Sequence, residues 1–84
     1  MSYSIRIIRR AQKELARLPE EFYVQVRDSI RTLASDPRPH GCSKLTAREG
    51  WRMRAGDYRV IYDIDDERKI VTVLHVGHRR DVYR

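Results

Sequence analysis

The sequence predicts an α+β fold in which a helical hairpin covers one face of a small, mostly antiparallel sheet. Three observations carry this. Apolar residues alternate with a period of two near the N-terminus and again from Trp51 onward. Between these stretches the apolar spacing becomes that of a helix. Pro19 divides the helical region, and Ser35-Asp36-Pro37-Arg38-Pro39 ends it. The predicted order is β-α-α-β-β-β.

Each element follows from its residues. Tyr3, Ile5 and Ile7 alternate with Ser4 and Arg6, which makes a strand. Ala11, Leu15 and Leu18 fall at helical spacing, with Arg9, Arg10, Gln12, Lys13, Glu14 and Arg17 on the other faces. Pro19 interrupts this helix, yet a second can start at once, because proline is tolerated at a helix N-terminus. Glu20 and Glu21 suit the positive end of its dipole. Phe22, Val26, Ile30 and Leu33 form its apolar stripe. Two short helices joined at a proline read as an αα-hairpin.

Residues Pro37 to Ser43 form a loop, and Lys44-Leu45 is placed to re-enter the sheet at an edge. Trp51, Met53 and Ala55 then share one face of a strand, while Arg52 and Arg54 share the other. Gly56-Asp57 is a two-residue turn of the kind that closes hairpins. Tyr58 to Ile64 is the next strand, followed by a polar turn from Asp65 to Arg68. Lys69 to Val76 is apolar on both faces, with Ile70, Leu74 and Val76 set against Val71 and Val73. That marks a central strand, which Gly77 is expected to break. The early strand must join the sheet made by the later ones. The helices would cover one face and leave the other for solvent or a ligand.

With 84 residues the chain has room for one domain, spanning 1–84, with a thin stability margin. Lys and Arg number 18 against 12 Asp and Glu, a net charge of +6. Such a charge draws polyanions: nucleic acid, an anionic membrane surface or an acidic protein. Cys42 is the only cysteine, which excludes an internal disulfide and a thiolate metal cluster. Apolar runs of a few residues exclude a signal h-region and a membrane-spanning helix, so a cytoplasmic protein is expected. His40, His75 and His78 lack metal-ligand spacing, and Asp63, Asp65, Asp66 and Glu67 read as a solvated turn. No metal and no cofactor is expected.

The candidate site is basic. If Gly56-Asp57 makes the tight turn, Arg54 opposes Arg59, and Arg52 lies one step along. Three guanidinium groups then share the face away from Trp51, Met53 and Tyr58. Arg79 and Arg80 follow the last strand, and Tyr83 follows them. Converging cations are costly without an anion, and arginine makes bidentate contacts to phosphate oxygens. His78 adjoins the cluster as a candidate for proton transfer, whereas His75 reads as a packed side chain.

Several segments resemble a known family. KELARLP at Lys13 to Pro19, LASDP at Leu33 to Pro37, SKL at Ser43 to Leu45, WRMRAGDYRVIYDID at Trp51 to Asp65 and VLHVGHRRDVY at Val73 to Tyr83 look like the RelE/ParE toxins of bacterial and archaeal toxin–antitoxin pairs. The resemblance spans nearly the whole chain, in order. It implies the fold already derived and a function that arrests growth. RelE-type members cut mRNA in the ribosomal A site; ParE-type members poison DNA gyrase.

The residues resemble the RelE branch. Its nucleases carry two basic residues before the hairpin turn, an arginine after it, another arginine after the last strand, and a tyrosine near the end. By position these fall on Arg52, Arg54, Arg59, Arg79 and Tyr83, with Lys44, Arg80 and His78 as further RNA contacts. The resemblance therefore implies a ribosome-dependent, metal-independent endoribonuclease in which the RNA's own 2′-hydroxyl attacks the scissile phosphate. It also implies a cognate antitoxin, the ribosome and its mRNA as partners. The best-known RelE nucleases have lysines where this chain has Arg52 and Arg54, and arginine almost never exchanges its proton. His78 or Tyr83 would then carry more of the proton transfer. A gyrase poison and a non-catalytic basic RNA- or protein-binding module are the alternatives.

Overall fold

The computed structural model describes residues 2–78 and 80. The chain forms β1 (Ser4–Ile7), α1 (Arg9–Ala16), α2 (Glu20–Thr32), β2 (Ser43–Lys44), β3 (Trp51–Ala55), β4 (Tyr58–Asp65) and β5 (Ile70–His78). The strands make one five-stranded sheet in the order β1-β5-β4-β3-β2. β1 runs parallel to β5, and every other pairing is antiparallel. From β1 the chain passes through both helices and then β2, β3 and β4 before β5 returns to pair with β1. β5, flanked by β1 and β4, is central, as its apolar character on both faces requires.

The core lies between the helices and one sheet face. Ala11 and Leu15 of α1, Val26 and Ile30 of α2, and Leu33 just beyond it meet Met53, Ala55, Val60, Tyr62, Val71, Val73 and Val76. Along β3 and β4 these buried residues alternate with residues of the opposite face. Phe22, the first member of the predicted stripe, stays half-exposed and packs its ring 5.5 Å from that of Tyr58.

Two details depart from the sequence reading. Gly77 does not break the last strand: β5 runs through it to His78. Within the ladder, Ile61 pairs with His75 but Tyr62 pairs with Val73, so Leu74 is a bulged extra residue. A bulge resets the alternation of side chains. Val76 therefore joins Val71 and Val73 in the core, instead of siding with Ile70 and Leu74.

The two helices begin differently. α2 follows Pro19 with Glu20 and Glu21 in its first turn, as the dipole favours. α1 has Ile8 at its N-cap, no side-chain cap and no acid in its first turn. It opens instead on Arg9 and Arg10, where each cation opposes the dipole by about 0.3–1 kcal/mol. Pairing of β1 with β5 ends at Ile7 and Val73, and the chain turns into α1. Glu14 then closes the vacated edge of β5: one carboxylate oxygen accepts the Val76 N–H at 2.9 Å, and the other lies 2.6 Å from His75 Nδ1. No helix among the described residues is long and apolar enough to cross a membrane.

Candidate functional site

The β3–β4 hairpin builds the site. Gly56, at φ +62°, supplies the left-handed backbone its two-residue turn needs. The tight turn sets the register, with Ala55 opposite Tyr58 and Arg54 opposite Arg59. Directly opposed residues point to the same side of a sheet. Met53, Ala55 and Val60 take the helix side, so Arg52, Arg54 and Arg59 take the other. The three arginines, with Gly41 and Ser43, line an open cleft of about 230 Å³.

Arg54 is exposed, while Arg52 and Arg59 are half-buried. Between them on the same face stands Ile61, paired with Arg52 and only 2% exposed, although it lies outside the main core. Among the described residues, its ladder partners Arg52 and His75 and its strand neighbour Arg59 share that face with it. Long arginine stems can bury apolar surface while their heads stay in water.

The loop at the rim is fixed by polar contacts. The buried Tyr62 hydroxyl donates to the Pro37 carbonyl at 2.8 Å, and burial pushes the phenol's pKa up. Arg38 donates to both carboxylate oxygens of Asp66, at 3.1 and 2.8 Å, and stacks 5.1 Å from the Trp51 ring centre. The Tyr3 hydroxyl donates to the same carboxylate at 2.6 Å. Held mainly by Arg38 and then by Tyr3, Asp66 has its pKa lowered to about 2. These contacts tie the segment that carries Gly41 and Ser43 to β4 and to the turn after it.

The structure sorts the expected site residues. Arg52, Arg54 and Arg59 come together. Lys44 does not join them: it pairs with Trp51 and is turned to the other side, while its neighbour Ser43 pairs with Arg52 and lines the cleft. His78 pairs with Tyr58, and the two rings meet edge-on at 5.7 Å, which puts the imidazole on the helix side of the sheet. Arg80 is exposed, and its backbone N–H donates to His78 Nδ1 at 3.3 Å. Arg79 and Tyr83 lie outside the described residues. His75 is half-buried against Glu14, as a packed side chain should be. Gly41 and Ser43 were not singled out from the sequence, although strand parity from Arg52 would have found Ser43. No cluster of three or more His, Cys, Asp or Glu residues placed to hold a metal occurs among the described residues.

Comparison with known proteins agrees with this architecture. Residues 5–83 match the family model described as the ParE toxin of the type II toxin–antitoxin system parDE. The chain is 34% identical over 86 residues to Toxin RelG of Mycobacterium tuberculosis, covering all of this chain and 99% of that protein. It is 33% identical to Toxin RelE of the same organism, over 98% of this chain and 87% of the relative. In solved structures, the toxin–antitoxin complex RelBE2 of M. tuberculosis contains a chain with a TM-score of 0.82 and 31% identity, covering 94% of this chain and 100% of that one. The archaeal RelE–RelB complex of Pyrococcus horikoshii gives 0.84 and 28%, over 98% and 100%. A shared sheet order would show only a shared fold, but the sequence match extends over the full length of both chains: this protein belongs to the RelE/ParE superfamily of type II toxins.

Proposed function

We propose that this toxin is a ribosome-dependent endoribonuclease that cuts mRNA in the A site without a metal. The observation that carries the reading is the direct opposition of Arg54 and Arg59, with Arg52 beside them, in one open cleft. Like charges directly opposite across strands destabilise a sheet. A phosphodiester seated among them removes that repulsion and receives bidentate contacts.

The chemistry needs little beyond alignment and charge. The 2′-oxygen attacks the adjacent phosphorus and the bond from phosphorus to the 5′-oxygen breaks. The products are a 2′,3′-cyclic phosphate and a 5′-hydroxyl. Arg59 and Arg79 hold the scissile phosphate and stabilise the charge that grows on its oxygens, with Arg52 and Arg54 binding the flanking backbone. One proton leaves the 2′-oxygen and one reaches the departing 5′-oxygen. Arginines are poor carriers of either, so Tyr83 is assigned to the first transfer or to positioning the attacking hydroxyl. A cognate antitoxin of the kind that accompanies the RelE proteins of the solved complexes would restrain the activity by covering the cleft.

The test is a translating-ribosome assay with mapped mRNA ends. Discrete cuts ending in cyclic phosphate, abolished by Arg59→Gln, are the expected result; intact mRNA under growth arrest would reject the reading. The family model that matches is that of ParE, which favours a second reading, gyrase poisoning. Gyrase-linked DNA breaks with unaltered mRNA would establish it.

A further inference from the structure

We propose that the exposed face of α1 is a second nucleic-acid surface, which grips the phosphate backbone of folded ribosomal RNA while the arginine cleft takes the substrate strand. This rests on the ribosome-dependent reading above. Arg9, Lys13 and Arg17 recur every four residues, so three cations line one edge of the helix at steps of about 6 Å. Arg10 stands beside the first. All four side chains are exposed, and Arg9, Lys13 and Arg17 have no ion-pair partner among the described residues. Glu14, the one acid of the helix, is already engaged by Val76, His75 and Arg10. Shallow concavities of about 560 and 460 Å³ flank the row.

Three features favour RNA over a protein partner. The uncharged residues of these concavities are Gln12 and Ala16, with no aromatic or large aliphatic side chain to anchor a protein interface. Ile8 at the N-cap is the nearest large apolar side chain that is exposed, and one such residue makes no docking core. Phosphate contacts need only spaced cations. Arg9 and Arg10 also occupy the first helical turn, where the dipole opposes them; α2 shows the arrangement that stability alone would favour.

The location separates this face from the cleft. α1 packs on β5 through Ala11 and Leu15, on the side of the sheet opposite to Arg52, Arg54 and Arg59. A single strand would have to pass around the sheet to reach both. Two opposed basic surfaces suit a protein inserted between RNA on either side.

The test compares the full chain with the triple variant Arg9→Gln, Lys13→Gln, Arg17→Gln on two probes: vacant ribosomes without mRNA, and a short RNA hairpin duplex. The variant should lose about tenfold or more in affinity for both, and the slope of log affinity against log salt should fall by about two to three. Its cutting rate at saturating ribosomes should stay within about twofold, and its melting temperature should change little, since Arg9 leaves the N-terminal turn where the dipole opposes it while Lys13 and Arg17 leave the C-terminal end where the dipole favours them. Arg9→Lys with Arg17→Lys should keep the binding. Unchanged affinity and slope on both probes would overturn the proposal, as would a full chain that binds neither probe. Lost antitoxin binding with intact RNA affinity would make the face a protein dock and also overturn it. A full chain that binds vacant ribosomes through α1 yet cuts no mRNA would leave this surface standing and remove the nuclease reading.

Discussion

Arg38 holds Asp66 with two hydrogen bonds, Nη1 to Oδ1 at 3.1 Å and Nη2 to Oδ2 at 2.8 Å, across 28 residues of sequence. With Tyr3 on the same carboxylate, the pair joins the N-terminal segment, the rim loop and the β4–β5 turn. The folded pKa of Asp66, about 2, lies below the ordinary aspartate value of about 3.9. A depressed folded value contributes stability that is present in full above the unfolded value and lost as pH falls through the folded one. The melting-temperature gap between the wild type and Asp66→Asn should therefore be constant above about pH 4 and close toward pH 2. A gap that persists unchanged to pH 2 would show that the carboxylate charge is not what holds the loop.

The like-charge pair at the cleft predicts a split between stability and activity. Arg54 is exposed and directly opposes Arg59. Arg54→Gln should leave stability unchanged or raise it by up to about 0.5 kcal/mol, because it relieves cross-strand repulsion. Cutting on ribosomes should fall by about 10²-fold, through loss of charge stabilisation. Urea melts and single-turnover rates on the same preparation would measure both.

Tyr62→Phe tests the rim from below. The substitution keeps the ring in the core but removes the donor to the Pro37 carbonyl. It should cost about 1 kcal/mol, since a buried acceptor loses its partner. The loop bearing Gly41 and Ser43 should show faster amide exchange, and the apparent KM for ribosomes should rise more than kcat falls.

Gly50 is a position where a side chain is strained. Its φ is +129°, and an added Cβ would lie 3.2 Å from Leu45 Cδ1 and 3.3 Å from the Tyr62 carbonyl oxygen. Gly50→Ala should destabilise by about 1–3 kcal/mol, which chemical denaturation can measure directly. It should also disturb the Leu45–Gly50 backbone hydrogen bond of 3.0 Å that closes the loop between β2 and β3.

Glu14→Ala addresses the edge of β5. It would leave the Val76 N–H and the half-buried His75 without the carboxylate that now meets them. The expected cost is about 1–3 kcal/mol. Glu14→Gln, which can still accept from Val76, should recover part of it.

The fold was legible because local signals agreed with one another. Alternation in Tyr3–Ile7 and Trp51–Ala55, the stripe Val26–Ile30–Leu33 and the Gly56-Asp57 turn all pointed to the architecture seen. The turn also fixed parity, so the convergence of Arg52, Arg54 and Arg59 could be read before any coordinates. Legibility failed where geometry is set by something other than period. The bulge at Leu74 carries no glycine or proline to announce it, and it exchanges the roles of Val76 and its neighbours. Gly77 looked like a terminator because glycine weakens strands; pairing opposite Arg59 overrides that preference. Lys44 enters the expected site through the resemblance and His78 through its place next to the arginines in sequence, and neither criterion reports which side of a sheet a residue faces. Glu14 read as one more solvated helical acid, because nothing local shows that β1 has left β5 without a partner there.

The nearly buried Ile61 beneath the arginines limits how this protein can lose its toxicity. On the nuclease reading, trimming Arg52 and Arg59 to short side chains would disarm the cleft and also thin the cover on the face that Ile61 shares with them. A lineage that escapes self-poisoning by that route would exchange a regulated hazard for a sticky surface. Mild polar replacements, or changes at exposed Arg54, leave the isoleucine covered, and inactive descendants should be enriched in them.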